Sequence, residues 1–131
     1  MKSLKQTYII NAPVKEVWKA LTDPKYIEGW GAGKCVMDEK EGTNFSLWGE
    51  SIWGRNTKVV SGKLLIQDWY SDETPKWKSP SIVTFELVEE NGNTKLDLTQ
   101  ENIPEKDFQN IFDGWKDYYV GPLKAFVESK N

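Results

Sequence analysis

The sequence contains no histidine and only one cysteine, Cys35, among its 131 residues. Without histidine the chain lacks the commonest general base and the commonest transition-metal ligand, so Ser-His-Asp catalysis, Cys-His catalysis and ordinary zinc sites are excluded. One cysteine forms no disulfide within the chain, which suits a reducing compartment and favours a cytoplasmic location. We interpret Cys35, which stands beside Val36 and Met37, as a small hydrophobic strand residue.

Long apolar runs and a surplus of positive charge are missing as well. No run approaches the ~20 apolar residues of a membrane helix, and the N-terminal MKSLKQTYII lacks the apolar region of a signal peptide. The net charge is −3, and the lysines are interspersed with acids rather than gathered in a basic stripe. We therefore expect neither a membrane nor a nucleic acid as a partner. The length and the 38% hydrophobic content predict one globular domain over residues 1–131.

The first part of the chain predicts a strand followed by two short helices. Residues 4–10, LKQTYII, are rich in strand-forming side chains and lead into an Asn-Ala-Pro sequence that ends the strand. Apolar residues then recur at helical spacing, in the order Val14, Val17, Trp18 and Leu21. Asp23 and Pro24 are typical of the start of a second helix, which we expect to end at Gly29.

Residues 34–99 predict short strands joined by turns. We expect strands at residues 35–38, 44–48, 52–60, 63–70, 82–89 and 95–99. Asn91-Gly92 indicates a tight hairpin, and Gly54 indicates an irregularity within its strand. Residues 71–80 are polar, contain two prolines and predict a loop.

The last segment predicts one long amphipathic helix beginning near Pro104. Its apolar residues keep a 3.6-residue spacing and are Phe108, Ile111, Phe112, Trp115, Tyr119, Leu123 and Phe126. About 25 residues give a length of roughly 37 Å, enough to cross a whole sheet. Pro122 has no amide hydrogen, so we expect a kink at Gly121-Pro122. This helix is the one element large enough to cover the apolar face of an antiparallel sheet, and the sheet must curl around it.

Several short sequences, in this order and spacing, resemble a known family. They are Ala12-Pro13, Val17-Trp18 and Leu21-Thr22-Asp23-Pro24 near the start, Gln67-Asp68-Trp69 at a strand end, and Gly114-Trp115, Tyr118-Tyr119 and Leu123-Lys124 in the last helix. Over essentially its whole length the chain is similar to the START-like (SRPBCC, polyketide-cyclase-like) superfamily. Within it, the chain resembles the family named for the C-terminal domain of the activator of the ninety-kilodalton heat-shock-protein ATPase.

The resemblance implies an α+β, helix-grip (START-like) fold. In this fold a bent antiparallel sheet, here of about six to seven strands, wraps around one long C-terminal helix, and two short helices follow the first strand. The space between sheet and helix holds an apolar ligand in many relatives and is filled by side chains in others. The eukaryotic activators bind the chaperone's middle and N-terminal domains, and a separate N-terminal domain, which this sequence does not show, drives much of their ATPase stimulation. The family has no fixed catalytic set, so no catalytic residue carries over.

Aromatic side chains form 13% of the chain and suggest a ligand-binding interior. We predict a cavity lined by Phe45, Trp69, Phe85, Trp115 and Tyr119, with its opening near Trp30. The alternative is a closed core in which these rings fill the interior. Trp69 is assigned to the inner face as an interpretation, since both faces of LLIQDWY carry apolar residues.

Two further groups of side chains bear on chemistry. Asp97 alternates with leucines and should face solvent, and Glu50 lies in a turn, so neither joins Asp68 in a carboxylate pair fit for acid–base catalysis. Tyr118 and Tyr119 point about 100° apart on a helix, which allows one to face a cavity and the other its rim. Packing at the kink is the simpler interpretation of both.

Three tryptophans, Trp48, Trp53 and Trp77, fall in or beside turns, with Tyr70 close to them in the predicted sheet. Exposed together they would form a protein-binding patch, because tryptophan is enriched at interface hot spots. The alternative is a lid that folds back over the end of the sheet.

The sequence therefore favours a non-enzymatic binding domain, without cofactor or metal, that holds a small apolar or aromatic ligand between sheet and long helix. The alternative is a co-chaperone-like domain that acts on a ninety-kilodalton heat-shock-protein ATPase. A cyclase- or aromatase-like enzyme is the third class, because relatives in the superfamily do such chemistry. The absent histidine and carboxylate pair argue against it.

Overall fold

In the computed structural model, which describes residues 1–130, six antiparallel strands form one sheet. The strands are β1 (Lys2–Ile10), β2 (Asn44–Leu47), β3 (Ile52–Val60), β4 (Leu64–Ser71), β5 (Ser81–Glu90) and β6 (Asn93–Ile103), in the spatial order β1-β6-β5-β4-β3-β2. Alternation sets the faces: in β5, Val83, Phe85 and Leu87 point into the core and the residues between them point out. The predicted bent sheet around a C-terminal helix is confirmed.

Two short helices follow β1, α1 (Val14–Thr22) and α2 (Pro24–Trp30). The Asp23 side chain accepts a hydrogen bond from the amide of Lys25, and Pro24 occupies the first turn, as the sequence predicts for a helix start. The predicted end of this helix at Gly29 is wrong by one residue. The helix continues to Trp30, which buries its indole, and Gly31 ends it with a φ of 115°, a conformation that glycine adopts without steric cost.

The long C-terminal helical segment has an interruption in its middle. A single 3₁₀ turn (Glu105–Asp107) leads into α4 (Phe108–Gly114), a π-helical segment covers Trp115–Val120, and α5 (Gly121–Ser129) completes it. The amide of Gly121 donates to the carbonyl of Lys116, five residues back. Pro122 lies in the first turn of α5, where an amide hydrogen has no helical partner. The π-helical irregularity thus lies before Pro122, the residue from which a kink is predicted.

The helices α1, α2 and α5 each contribute buried residues to the core. Ile10, Leu21, Ile27, Leu98 and Leu123 are all fully buried in one cluster there. In contrast, α4 has no fully buried residue. The two halves of the long helix therefore pack differently against the sheet, and this difference positions the site described below.

Three local predictions are wrong. Residues 35–38 form no strand and contribute one isolated bridge, Val36 to Ser46. The register shift in β3 lies between Asn56 and Lys58 rather than at Gly54. Gly54 instead allows close approach, since a Cβ there would stand 1.8 Å from the carbonyl oxygen of Asp68. The predicted loop at residues 71–80 contains a short helix, α3 (Thr74–Trp77).

No helix within residues 1–130 has the length and apolar character that crossing a bilayer requires.

Candidate ligand pocket

A pocket of about 420 Å³ lies between the ends of β3 and β4, the short helix α3 and the segment from Asp107 to Tyr119. Its walls are formed by Trp48, Ile52, Trp69, Tyr70, Ser71, Glu73, Trp77, Gln100, Asp107, Asn110, Ile111, Gly114, Trp115, Tyr118 and Tyr119. We call it the aromatic pocket, after the seven rings in its wall.

The deep wall of the aromatic pocket consists of packed rings. The ring centroids of Trp69 and Trp115 lie 5.0 Å apart, and those of Trp115 and Tyr119 lie 4.9 Å apart. Strand alternation turns Trp69 inward, which confirms the predicted orientation, and the π-helical segment turns both Trp115 and Tyr119 inward. These distances are typical of favourable tilted aromatic contacts. The wall is therefore a preformed apolar surface.

Hydrogen bonds behind the wall fix the ring of Trp69. Its indole Nε1–H donates to Gln67 Oε1 at 2.8 Å, and Gln67 Nε2 donates to Asn56 Oδ1 at 2.8 Å. Gln67 and Asn56 are completely buried, so each bond replaces one that water would otherwise make. Asn56 continues the chain by donating to the carbonyl of Asp38 at 3.1 Å. A satisfied buried network of this kind locks a side chain in one orientation.

Gln100 brings an amide to the deep end of the pocket. Its Oε1 accepts a hydrogen bond from the indole of Trp115 at 2.8 Å. Its Nε2 makes no hydrogen bond to any of the residues that the structure describes, and the side chain lines the pocket. A primary amide carries two donor hydrogens, so a bound molecule with a carbonyl or hydroxyl oxygen finds a donor here.

Tyr119 carries a buried hydroxyl without a partner. Its oxygen is the one buried side-chain polar atom in residues 1–130 that makes no hydrogen bond. Burial, with a smaller contribution from Cys35, raises the pKa of Tyr119 well above its usual value of 10.0, so the phenol is neutral. Buried polar groups in proteins are nearly always paired, and an exception points to a missing water or ligand.

The outer wall is a lid formed by α3. Trp77 is only 9% exposed, and its indole Nε1–H donates to Asp107 Oδ2 at 2.9 Å. This bond joins the lid to the residue before α4. At the mouth, Tyr118 lines the pocket although it is 70% exposed. The adjacent tyrosines thus divide between the wall and the rim, which is the alternative to the simpler interpretation that both pack at the kink.

The predicted ligand-binding residues separate into two groups. Trp69, Trp115 and Tyr119 line the aromatic pocket, whereas Phe45 and Phe85 are buried behind it in the closed core. The predicted opening near Trp30 is wrong. Trp30 is buried, its indole donates to the carbonyl of Ala20 at 2.9 Å, and its ring packs on that of Tyr119. The last turn of α2 places this ring inside, and Trp30 is not among the residues that line the pocket.

The three tryptophans proposed for a surface patch do not lie together on the surface. Trp77 belongs to the lid, and Trp48 is half-buried in the pocket wall with its ring 6.2 Å from that of Tyr119. Only Trp53 of the three is exposed, and it stacks on Tyr70 with ring centroids 6.0 Å apart. The predicted exposure is therefore wrong for Trp77, and the alternative of a lid describes it. The assignment of these residues to protein binding stays a prediction.

Sequence reasoning missed Gln100, Asp107 and Ile111 as pocket residues. A signal existed for Gln100, because it continues the inward alternation of Leu96 and Leu98 along β6. Asp107 had no local signal, since its role depends on contact with the lid. No cluster of three or more metal-ligating side chains occurs in the described part of the chain.

Comparison with known proteins identifies relatives over most of the chain. The family model described as "Activator of Hsp90 ATPase homolog 1-like protein" matches residues 11–128. A curated relative, "Activator of 90 kDa heat shock protein ATPase homolog" of Dictyostelium discoideum, is 29% identical over 90 residues, which are 69% of this chain and 24% of the relative. The chain thus spans about a quarter of that relative's length.

Solved structures share the fold. An HSP90 activator from Plasmodium falciparum superposes with a TM-score of 0.84 at 24% identity, covering 97% of this chain and 96% of that protein. CalU16 from Micromonospora echinospora superposes with a TM-score of 0.77 at 30% identity, covering 98% of this chain and 76% of the other.

Proposed function

The chain belongs to the family of Activator of Hsp90 ATPase homolog 1-like proteins, and within that family we propose that it acts as a binding domain for a small apolar or aromatic molecule. The proposal places the molecule in the aromatic pocket, against Trp69 and Trp115 and under the lid. The observation that carries it is an open, ring-lined space between sheet and helix. At about 420 Å³ this space falls within the roughly 300–1,000 Å³ of small-molecule sites.

The polar groups of the pocket support binding rather than catalysis. Its two carboxylates have partners already, since Glu73 pairs with Lys76 at 3.3 Å and Asp107 accepts from the Trp77 indole. The sequence supplies no histidine to act as a general base near them. Gln100 instead offers an amide donor suited to orienting a guest.

The test is a two-dimensional NMR titration of labelled protein with a pool of apolar compounds, following the indole N–H signals. We expect saturable shifts for Trp69, Trp77 and Trp115 and none for Trp18, whose indole donates to Glu39 outside the pocket. Indole signals that all stay fixed through the titration would rule the proposal out.

Two matched variants test the location. Ile111→Trp adds a large ring to the pocket wall and should abolish the shifts. Ile82→Trp makes the same change on the outer face of the sheet, where Ile82 is exposed, and should leave them intact. Equal loss in both variants would place binding elsewhere.

A second candidate is contact with a ninety-kilodalton heat-shock-protein ATPase. It is supported by the relatives named above as activators of that ATPase and by the exposed Trp53 ring on Tyr70. Addition of the purified ATPase should broaden the Trp53 indole signal, and Trp53→Ala should weaken the complex. An unchanged Trp53 signal at saturating chaperone would argue against this surface.

A further inference from the structure

The charge of the aromatic pocket has one sign. Glu73 and Asp107 are the acidic side chains in its wall, and no lysine or arginine of the described residues lines it. Aromatic faces add to this potential, because the π-electron quadrupole is negative over the ring. The pocket therefore presents negative potential to a guest from its rings as well as from its carboxylates.

Asp107 is the carboxylate whose charge is not balanced by a lysine. Glu73 pairs with Lys76 on the solvent side of the lid, whereas Asp107 is half-buried and forms no ion pair within residues 1–130. Asp107 directly precedes α4, yet it does not cap the backbone amides of that helix. Its Oδ2 accepts from the Trp77 indole, and its Oδ1 accepts no hydrogen bond from the part of the chain that is described.

The rings next to this carboxylate suit a cation. Trp77, Trp115 and Tyr118 line the same pocket as Asp107, and an ammonium group over such a face is attracted when it lies within about 6 Å of the ring centre. An anion in the same place meets the carboxylate and the negative ring faces without any compensating lysine. A bound group with a positive charge would therefore supply the counter-charge that Asp107 does not have in this wall.

We propose that the aromatic pocket selects aromatic ammonium compounds, with the ring system against Trp69 and Trp115 and the ammonium at the mouth beside Asp107. This inference rests on the proposed function and narrows it to one ligand class. A carboxylate or sulfonate of the same shape is rejected by charge, although its apolar body fits.

The test compares three probes that share one ring system: 2-naphthylmethanol, 2-naphthylmethylammonium and 2-naphthoate. Each is titrated into the labelled protein while the indole signals of Trp69 and Trp115 are followed. We expect the ammonium to bind about tenfold more tightly than the alcohol, and the carboxylate to bind most weakly. Equal affinity for all three would overturn the charge selection and leave the proposed function standing. Failure of all three to bind would overturn both.

A variant pair localises the effect. Asp107→Asn keeps an oxygen to accept from the Trp77 indole and removes the charge, so the ratio of ammonium to alcohol affinity should fall several-fold. Glu90→Gln removes one charge from the exposed end of β5, outside the pocket, and should change neither affinity. Equal weakening in the two variants would assign the preference to net charge and overturn the role of Asp107.

Discussion

At the scale of single residues, Tyr119 is placed at an energetic disadvantage. Its ring packs against Trp30, Phe85 and Trp115, but its hydroxyl is buried with no partner among the residues described. Leaving a buried donor unsatisfied costs about 1–3 kcal/mol, because the group gives up its hydrogen bonds to water. A guest or a bound water that accepts from this hydroxyl would recover that cost.

Removing the hydroxyl should therefore stabilise the empty protein. We expect Tyr119→Phe to raise the free energy of unfolding by about 1 kcal/mol in urea titrations. The matched control is Tyr26→Phe, which removes a hydroxyl that donates to Glu16 at 2.7 Å and should not raise the free energy of unfolding. A clear loss of stability in Tyr119→Phe would mean that the hydroxyl is paired in solution.

Side-chain patterns predicted some residues of the pocket and not others. The pattern of β4 does not decide alone that Trp69 faces inward, because both faces of the strand carry apolar residues. The structure shows why the pattern is ambiguous: its inward neighbour Gln67 is polar, and it is tolerated there because Asn56 and Trp69 satisfy its amide. Asn56 lies on another strand, so a local pattern does not reveal this compensation.

At the scale of elements, the π-helical segment sets the geometry of the wall. It directs Trp115 and Tyr119 to the sheet and requires the amide of Gly121 to reach the carbonyl of Lys116. A Cβ on Gly121 would stand 2.2 Å from that carbonyl oxygen, whereas one on Gly114 would meet only Tyr118 Cδ2 at 3.8 Å. Glycine is therefore needed at the first position and not at the second.

This contrast gives opposite expectations for the same substitution. Gly121→Ala should destabilise the protein by about 1–3 kcal/mol, since the backbone must shift to remove the clash. Gly114→Ala should stabilise it by up to about 1 kcal/mol, because alanine is the better helix former. Thermal unfolding of both variants measures the difference, and a stabilised Gly121→Ala would show that the helix is regular in solution.

The sequence predicted an irregular long helix but not its type. Pro122 signals a missing amide, and that signal is local. The extra residue in the turn before it depends on where Trp115 and Tyr119 find space against β4, β5 and β6, which is a tertiary property. The lid α3 is not predicted from the sequence either, because the hydrogen bond from Trp77 to Asp107 joins distant parts of the chain.

At the scale of the whole molecule, the missing histidines determine how stability responds to pH. The carboxyl pKa of Asp38 is lowered below its usual 3.8, chiefly by the Thr43 hydroxyl. That of Glu128 is lowered below its usual 4.5 by the amide of Asn11 and by Lys124. A lowered folded-state pKa contributes stability above the unfolded-state value, and that stability is lost as the pH falls through the folded-state value.

We therefore expect a flat profile near neutrality and a decline in acid. The urea midpoint should be constant between about pH 6 and pH 8, since no histidine titrates there. It should fall below about pH 4.5 as Glu128 and Asp38 become protonated. Glu128→Gln should make the fall of the urea midpoint in acid less steep, and Glu90→Gln, at an exposed position, should leave it unchanged. A midpoint that falls between pH 8 and pH 6 would contradict the account.

The two alternatives for the interior, a closed core and a ligand cavity, each describe one end of the molecule. Near α2 the rings of Trp30, Phe45 and Phe85 fill a closed core, and near α4 the rings of Trp69 and Trp115 border an open pocket. The aromatic content of the chain, 13%, does not distinguish the two ends. The distinction depends on which rings the tertiary packing buries, and no stretch of sequence encodes that alone.

The packed pair of indoles in the deep wall has an optical consequence. The Trp69 and Trp115 rings lie 5.0 Å apart and are tilted by 38°, so their electronic transitions couple and split into two. A skewed, coupled pair absorbs left- and right-circularly polarised light unequally, with paired bands of opposite sign. The wall that would hold a guest is thereby also an intrinsic chromophore, and its dichroism changes when anything alters the angle between the two rings.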